Sequence, residues 1–160
     1  MSEPNIVLAR VDNRLVHGQV GVVWTSQTGT NLLVVANDTA ASNELQQTLM
    51  SATAETSGVG IRFWTLQKTI DNIHKAAPRQ KIFLIMQTPE DALTLVQGGV
   101  PIKSLNIGNM HYSEGKVGLS NKVFVDETDK QAFRDMLNLG VDVYLQELPN
   151  DKKVPVKELI

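Results

Sequence analysis

The chain has 160 residues, 42% of them hydrophobic and 20% charged, with a formal net charge of −2 and no cysteine. That length suits one domain spanning residues 1–160 with a sizeable core, and the composition excludes disulfides and thiolate metal sites. The balance of charge excludes bulk nucleic-acid binding, which needs a basic face, and no apolar run approaches the roughly 20 residues that cross a bilayer.

The opening "MSEPNIVLAR" lacks the basic-then-apolar pattern of a signal peptide, so a cytoplasmic location is expected. "NIVLARV" (5–11) reads as a strand buried on both faces. From Gly18 to about Gln27 a first helix is expected, with Val20, Val23 and Trp24 at i, i+3, i+4. "NLLVVAN" (31–37) is a second strand. "SNELQQTLMSATAE" (42–55) carries a helix start at Ser42 or Asn43 before an apolar stripe of Leu45, Leu49 and Ala52. "VGIRFWTL" (59–66) is a third strand, with Trp24, Phe63 and Trp64 expected in the core and the rim as the alternative place for Trp64. A helix follows over 66–77, with Leu66, Ile70 and Ile73 apolar and Pro78 as its stop. "QKIFLIM" (80–86) is a fourth buried strand. Thr88-Pro89-Glu90 opens a helix to Val96, stopped at Gly98-Gly99. "KSLNIG" (103–108) is a fifth strand.

The polar segment 109–126, with Gly115 and Gly118, is expected as a long loop or irregular hairpin. A helix over 127–140 and a strand over 141–148 follow. "PNDKKVPVKELI" reads as a polar tail holding at most one short helix. Strands alternating with helices imply a three-layer α/β/α fold with a mostly parallel, doubly wound sheet of about six to seven strands. Ligands in such folds sit beyond the carboxyl ends of the strands. "RVDNRLVHGQV" (10–20) falls there, with two arginines, an aspartate and a histidine.

A histidine in that place caps or packs in many proteins, and Arg with Asp forms surface ion pairs. Here His17 directly precedes the amino end of a helix, where unpaired N–H groups and a partial positive charge attract anions. Gly18 allows close backbone approach. Arg14 adds a fork of donors and Arg10 a second. Neither GxxxxGK[ST] nor GxGxxG occurs, so a phosphoryl group is a better candidate than a nucleotide. Neutral imidazole is the nucleophile toward phosphorus, and nearby guanidinium charge favours that form. The arginines then stabilise the phosphoryl oxygens, so His17 suits a covalent phosphohistidine site. Asp12 either holds the other ring nitrogen or pairs with Arg14. His17, His74 and His111 lack metal-ligand spacing, so no metal is expected. His74 reads as a surface residue and His111 as a loop residue. "PEDA" and "DETD" read as helix starts.

The loop, together with "LNIGNMHYSEGK", "KIFLIMQTPEDALTLVQGGV" and "VFVDETDKQAFRDMLNLGVDV", resembles the IIB components of the mannose-family sugar phosphotransferase system (PTS). The resemblance covers nearly the whole chain and is nearest to the N-acetylgalactosamine or galactosamine branch. It implies a phosphotransferase that takes a phosphoryl group on His17 Nδ1 from a IIA protein. The group then passes to the sugar at the membrane IIC and IID components, with no cofactor. Carried over residue by residue, Arg14 and Asp12 support His17. Arg10, Arg14, Gly18, Gln19 and Thr88 are expected to surround the phosphate. Asn13 stands where many relatives carry an acid. Two other readings remain: a module binding a phosphorylated ligand without a covalent step, and a receiver-like domain, for which Asp12 and Asp38 are poorly arranged.

Overall fold

Strands made of consecutive apolar residues must lie between two layers, because neither face tolerates water. The computed structural model describes residues 3–160, without the side chains of Gln19 and Val20, and it builds one central sheet from such strands. In chain order the strands are β1 (Asn5–Asp12), β2 (Leu32–Ala36), β3 (Gly60–Trp64), β4 (Lys81–Met86), β5 (Ser104–Asn109), β6 (Val117–Gly118), β7 (Phe124–Val125), β8 (Asp142–Leu145) and β9 (Val154–Pro155). The sheet order is β3-β2-β4-β1-β5-β8-β9, and β6 with β7 makes a separate antiparallel hairpin. Every sheet pair is parallel except β8 with β9.

The period of two along each strand divides the side chains between two cores. Leu33, Val35, Phe83 and Ile85 pack with Trp24, Met50 and Ala54, which come from α1 (Gly18–Thr28) and α2 (Glu44–Thr56). Val34, Leu84 and Met86 pack on the opposite face with Ile73, Leu95, Phe133 and Met136. The helices of that second layer are α3 (Leu66–Asn72), α4 (Pro89–Gln97) and α5 (Glu127–Asn138). The expected three-layer α/β/α architecture is therefore the one observed. β1 lies between β4 and β5; the chain leaves β1 toward β2 on one side and later crosses it from β4 to β5. The loop after β1 thus opens at the topological switch point.

Local chemistry sets the helix starts. Asn43, Thr65 and Thr88 accept hydrogen bonds from the backbone N–H groups of Gln46, Lys68 and Asp91. Asp126 and Asp129 form a reciprocal capping box on α5.

Three expectations need correction. The helix expected over 66–77 stops at Asn72 and gives way to a 3-10 turn, Ile73–Lys75. The Leu45, Leu49 and Ala52 stripe faces outward, with Leu45 71% and Leu49 64% exposed, because Met50 and Ala54 carry the buried face of α2. The carboxyl tail is part of the fold: β9 closes the sheet edge, and Val156 is fully buried in the following 3-10 turn.

Candidate active site

β1 ends on an acidic residue, and the site grows from it. Asp12 is 1% exposed and its carboxylate is saturated by four donors. Oδ1 accepts from the Arg14 backbone N–H at 3.0 Å and from Arg14 Nε at 3.1 Å. Oδ2 accepts from Arg14 Nη2 and Arg10 Nη2, both at 3.3 Å. Arg14 is thus gripped as a two-toothed fork, the geometry in which a guanidinium is most strongly oriented. Arg14 Nη1 carries no hydrogen bond among the described residues.

Between Asp12 and His17 the chain makes a tight turn. Leu15 N donates to Asp12 O at 2.9 Å, and Leu15 adopts φ 58°, in the left-handed region. That conformation costs about 1–2 kcal/mol for a residue with a Cβ. Burial of Leu15 and Val16 against the α1–α2 core offsets it, at about 1.5–3 kcal/mol per side chain. Two apolar anchors therefore hold the loop from below while Arg14 and His17 stay above.

His17 is half-buried and occupies the N-cap of α1, with φ −149° and ψ 141°. Its carbonyl accepts from Gly21 N at 3.1 Å, but its side chain makes no cap bond. The start of α1 is thus left without the side-chain acceptor found at the starts of α2, α3, α4 and α5. Unpaired N–H groups and the helix dipole favour an anion there. Gly18 takes φ +36° and is exposed. His17 Nδ1 is covered and has no hydrogen-bond partner among the described residues. Burial, then the Arg14 charge, push the imidazole below its ordinary pKa of 6.5; Asp12 opposes this and Arg10 adds to it. Near neutrality the ring is therefore uncharged.

The expected residues do not all meet at the histidine. Asp12 pairs with Arg14 and Arg10, so of its two possible roles the structure selects the ion pair. Arg10, expected beside the phosphate, is 2% exposed, and its Nη1 and Nη2 donate to protein acceptors. Its Nη1 donates to Asn106 Oδ1 at 2.5 Å and to Gln146 O at 3.0 Å, and its Cζ lies 5.3 Å from the Trp24 ring centroid. Thr88 spends its hydroxyl oxygen on capping α4, at 3.1 Å from Asp91 N. The Gln19 side chain lies outside the described residues. His74 Nε2 is 3.1 Å from Gly99 O at the protein surface, and His111 is exposed. Asn106 and Gly108 share one face of β5 beside Arg10, a neighbourhood that follows from the pairing of β1 with β5 and not from local sequence.

The acidic helix starts "PEDA" and "DETD" converge: one carboxylate oxygen each from Glu90, Asp126 and Asp129 lie within 4.8 Å of one another. Lys116 Nζ donates to Asp129 at 3.2 Å. Burial and a carboxyl hydrogen bond to Asp129 raise the pKa of Glu90 to about 7, so this pair retains a proton into the neutral range.

The class follows from the whole chain. Residues 6–160 match the family described as "PTS system sorbose subfamily IIB component", and the chain belongs to that family, whose members are phosphotransferases of sugar transport. Particular relatives sharpen this. The chain is 54% identical to the N-acetylgalactosamine-specific phosphotransferase enzyme IIB component 1 of Escherichia coli (strain K12), covering 99% of this chain and 100% of the relative. The crystal structure of a PTS N-acetylgalactosamine-specific IIB component 1 from Escherichia coli matches with a TM-score of 0.92 at 56% identity, covering 94% of this chain and 98% of that one. The mannose-specific EIIAB component of Escherichia coli (strain K12) is 35% identical over 97% of this chain, which spans 48% of that relative. No described helix is long and apolar enough to cross a membrane.

Proposed function

We propose that His17 is the phosphoryl carrier of this IIB component. A IIA protein is the donor, and N-acetylgalactosamine or galactosamine, presented by membrane IIC and IID components, is the acceptor. The supporting observation is an uncharged, half-buried imidazole at the uncapped start of α1, beside a guanidinium fork locked by Asp12. The lone pair of a His17 ring nitrogen attacks phosphorus as the bond from phosphorus to the donor breaks; family resemblance makes that nitrogen Nδ1, which is covered here and has to turn toward the donor for transfer. Arg14 and the N–H groups of Gly18 and Gln19 neutralise the spread of oxygen charge. In the second transfer a sugar hydroxyl oxygen attacks phosphorus, the N–P bond breaks, and the hydroxyl proton leaves to solvent. Arg10 acts through Asp12, and Thr88 borders the site from the start of α4.

The single sheet shared by both cores supports one domain over residues 1–160. The names of the relatives support the sugar and the IIA donor, one of them having IIA and IIB in a single protein. The absence of a spanning helix among the described residues fits a cytoplasmic protein that meets the membrane through IIC and IID. Val23, Leu45 and Leu49, exposed on α1 and α2, offer an apolar rim for partners.

Incubation with a phosphorylated IIA donor tests the reading. Wild type takes an acid-labile, alkali-stable label, and His17→Gln takes none. Equal labelling of the two proteins excludes His17 as the carrier. Reversible phosphate binding with no covalent product favours a non-covalent binding module instead.

A further inference from the structure

Arg10 is a cation sealed under α1, and its surroundings are built for it. Asn106 pairs with Arg10 in the β1–β5 register, and Gly108 lies two residues further along the same strand face. Asn106 works from both ends of its amide. Oδ1 accepts from Arg10 Nη1, while Nδ2 donates at 2.9 Å to Gln146 O, the carbonyl that also accepts from Arg10 Nη1. The guanidinium and the amide therefore fix each other through one shared acceptor.

Gly108 supplies room. A Cβ placed there would lie 2.0 Å from Arg10 Cζ and 2.1 Å from Nη2, so every other residue type would expel the guanidinium. Glycine inside a strand weakens it, and close approach of another group is the usual reason for keeping one. From Arg10 the chain of contacts runs outward: Nη2 to Asp12 Oδ2, and Asp12 to both teeth of Arg14. Arg14 is the outermost member, with its side chain 32% exposed against 2% for Arg10 and 1% for Asp12.

We propose that Asn106 and Gly108 are positioning residues for phosphoryl transfer: they fix Arg10, Arg10 fixes the Asp12 carboxylate, and Asp12 holds the Arg14 guanidinium so that its remaining Nη1 donor serves the group carried by His17. This inference rests on the reading of His17 as carrier. Neither residue touches the phosphoryl group, and their effect reaches it through two side chains. A displacement of about 1 Å in such an arrangement lowers rates by as much as ~100-fold.

Three variants test it. Asn106→Leu removes the acceptor for Arg10, Asn106→Asp keeps one, and Gly108→Ala pushes the guanidinium out. With a phosphorylated IIA donor, Asn106→Leu and Gly108→Ala should lower kcat about tenfold or more with KM for the donor little changed. Asn106→Asp should recover most of the loss. The second readout is the Arg14 side-chain Nε–H signal in 15N NMR. It is protected by Asp12 in wild type and in Asn106→Asp, and it should broaden or move in Asn106→Leu.

A folded Asn106→Leu protein with wild-type kcat, or with an unmoved Arg14 signal, overturns the proposal. Should Gly108→Ala fail to fold, the Asn106 pair decides alone. If wild type itself takes no label, the carrier reading fails, and the NMR comparison still reports whether Asn106 positions Arg14.

Discussion

Asp12 and Arg14, two residues apart, form a two-toothed ion pair in which the carboxylate is 1% exposed and the guanidinium side chain 32% exposed. The asymmetry predicts unequal costs of removing each partner. Asp12→Asn leaves Arg10, itself 2% exposed, as a buried cation without its counter-charge. Breaking a buried pair in that way costs about 3–5 kcal/mol. Arg14→Gln leaves Asp12 still bonded to Arg10 and removes a partly solvated charge, so about 1 kcal/mol is expected. Urea denaturation of the two variants checks this, and equal losses would contradict the buried role of Arg10.

The imidazole of His17 titrates below its ordinary value of 6.5, through burial first and the Arg14 charge second. NMR titration of the ring should place its midpoint under 6.5, and Arg14→Gln should move it up part of the way, since burial remains. The stability linkage has a definite sign. The unfolded chain binds this proton more readily than the folded one, so the His17 share of stability is complete above pH 6.5 and is lost as pH falls through the folded midpoint. His17→Gln should accordingly flatten the acid side of the stability curve. A midpoint at or above 6.5 in wild type contradicts the electrostatic account.

Glu90 moves in the opposite direction. Its pKa is raised to about 7 by burial and by its carboxyl hydrogen bond to Asp129, with Asp126 adding repulsion. The folded protein therefore keeps a proton that the unfolded chain releases near 4.5. The contribution of the pair is full below that value and is lost as pH rises through about 7. Relative to wild type, Glu90→Gln should gain stability steadily between pH 4.5 and about 7 and level off above that. Denaturant midpoints across that range give the measurement. A difference that does not vary with pH means that Glu90 is ionised in the fold as it is in solution.

The parts of the fold set by local chemistry were legible in the sequence. β2 and β4 are uninterrupted apolar runs, and such runs have few other places to go. The start of α5 was marked by its acids, which form the capping box. Where the answer depended on distant residues, local reading failed. Arg10 in "NIVLARV" resembles a donor at a strand end, and its burial is decided by Asn106 and Gly108 nearly a hundred positions away. β9 has two residues, too few to show a period, so the tail looked merely polar. His17 was found because its helix position and charged neighbours are adjacent in the chain. The division of labour between Arg10 and Arg14 needed the third dimension.

Helix α2 shows how an apolar stripe misleads, and it supplies a sharp test. Two candidate faces run along it, Leu45–Leu49–Ala52 and Met50–Ala54, each at helical spacing. The sheet takes the smaller face: Met50 is 6% and Ala54 1% exposed, whereas Leu49 is 64% exposed. A small residue at Ala54 lets the helix approach the sheet closely, and Met50 adapts its shape to the gap beside Trp24. Met50→Ala should therefore cost about 2–5 kcal/mol, the range for emptying a buried site of that size. Leu49→Ala should change stability by less than about 0.5 kcal/mol, as for a surface position away from special contacts. If Leu49 guards a partner surface, its replacement should instead slow phosphoryl uptake through a higher KM for the donor. Thermal unfolding and labelling kinetics on the same two proteins separate these outcomes, and a large stability loss in Leu49→Ala would mean that the helix is turned the other way.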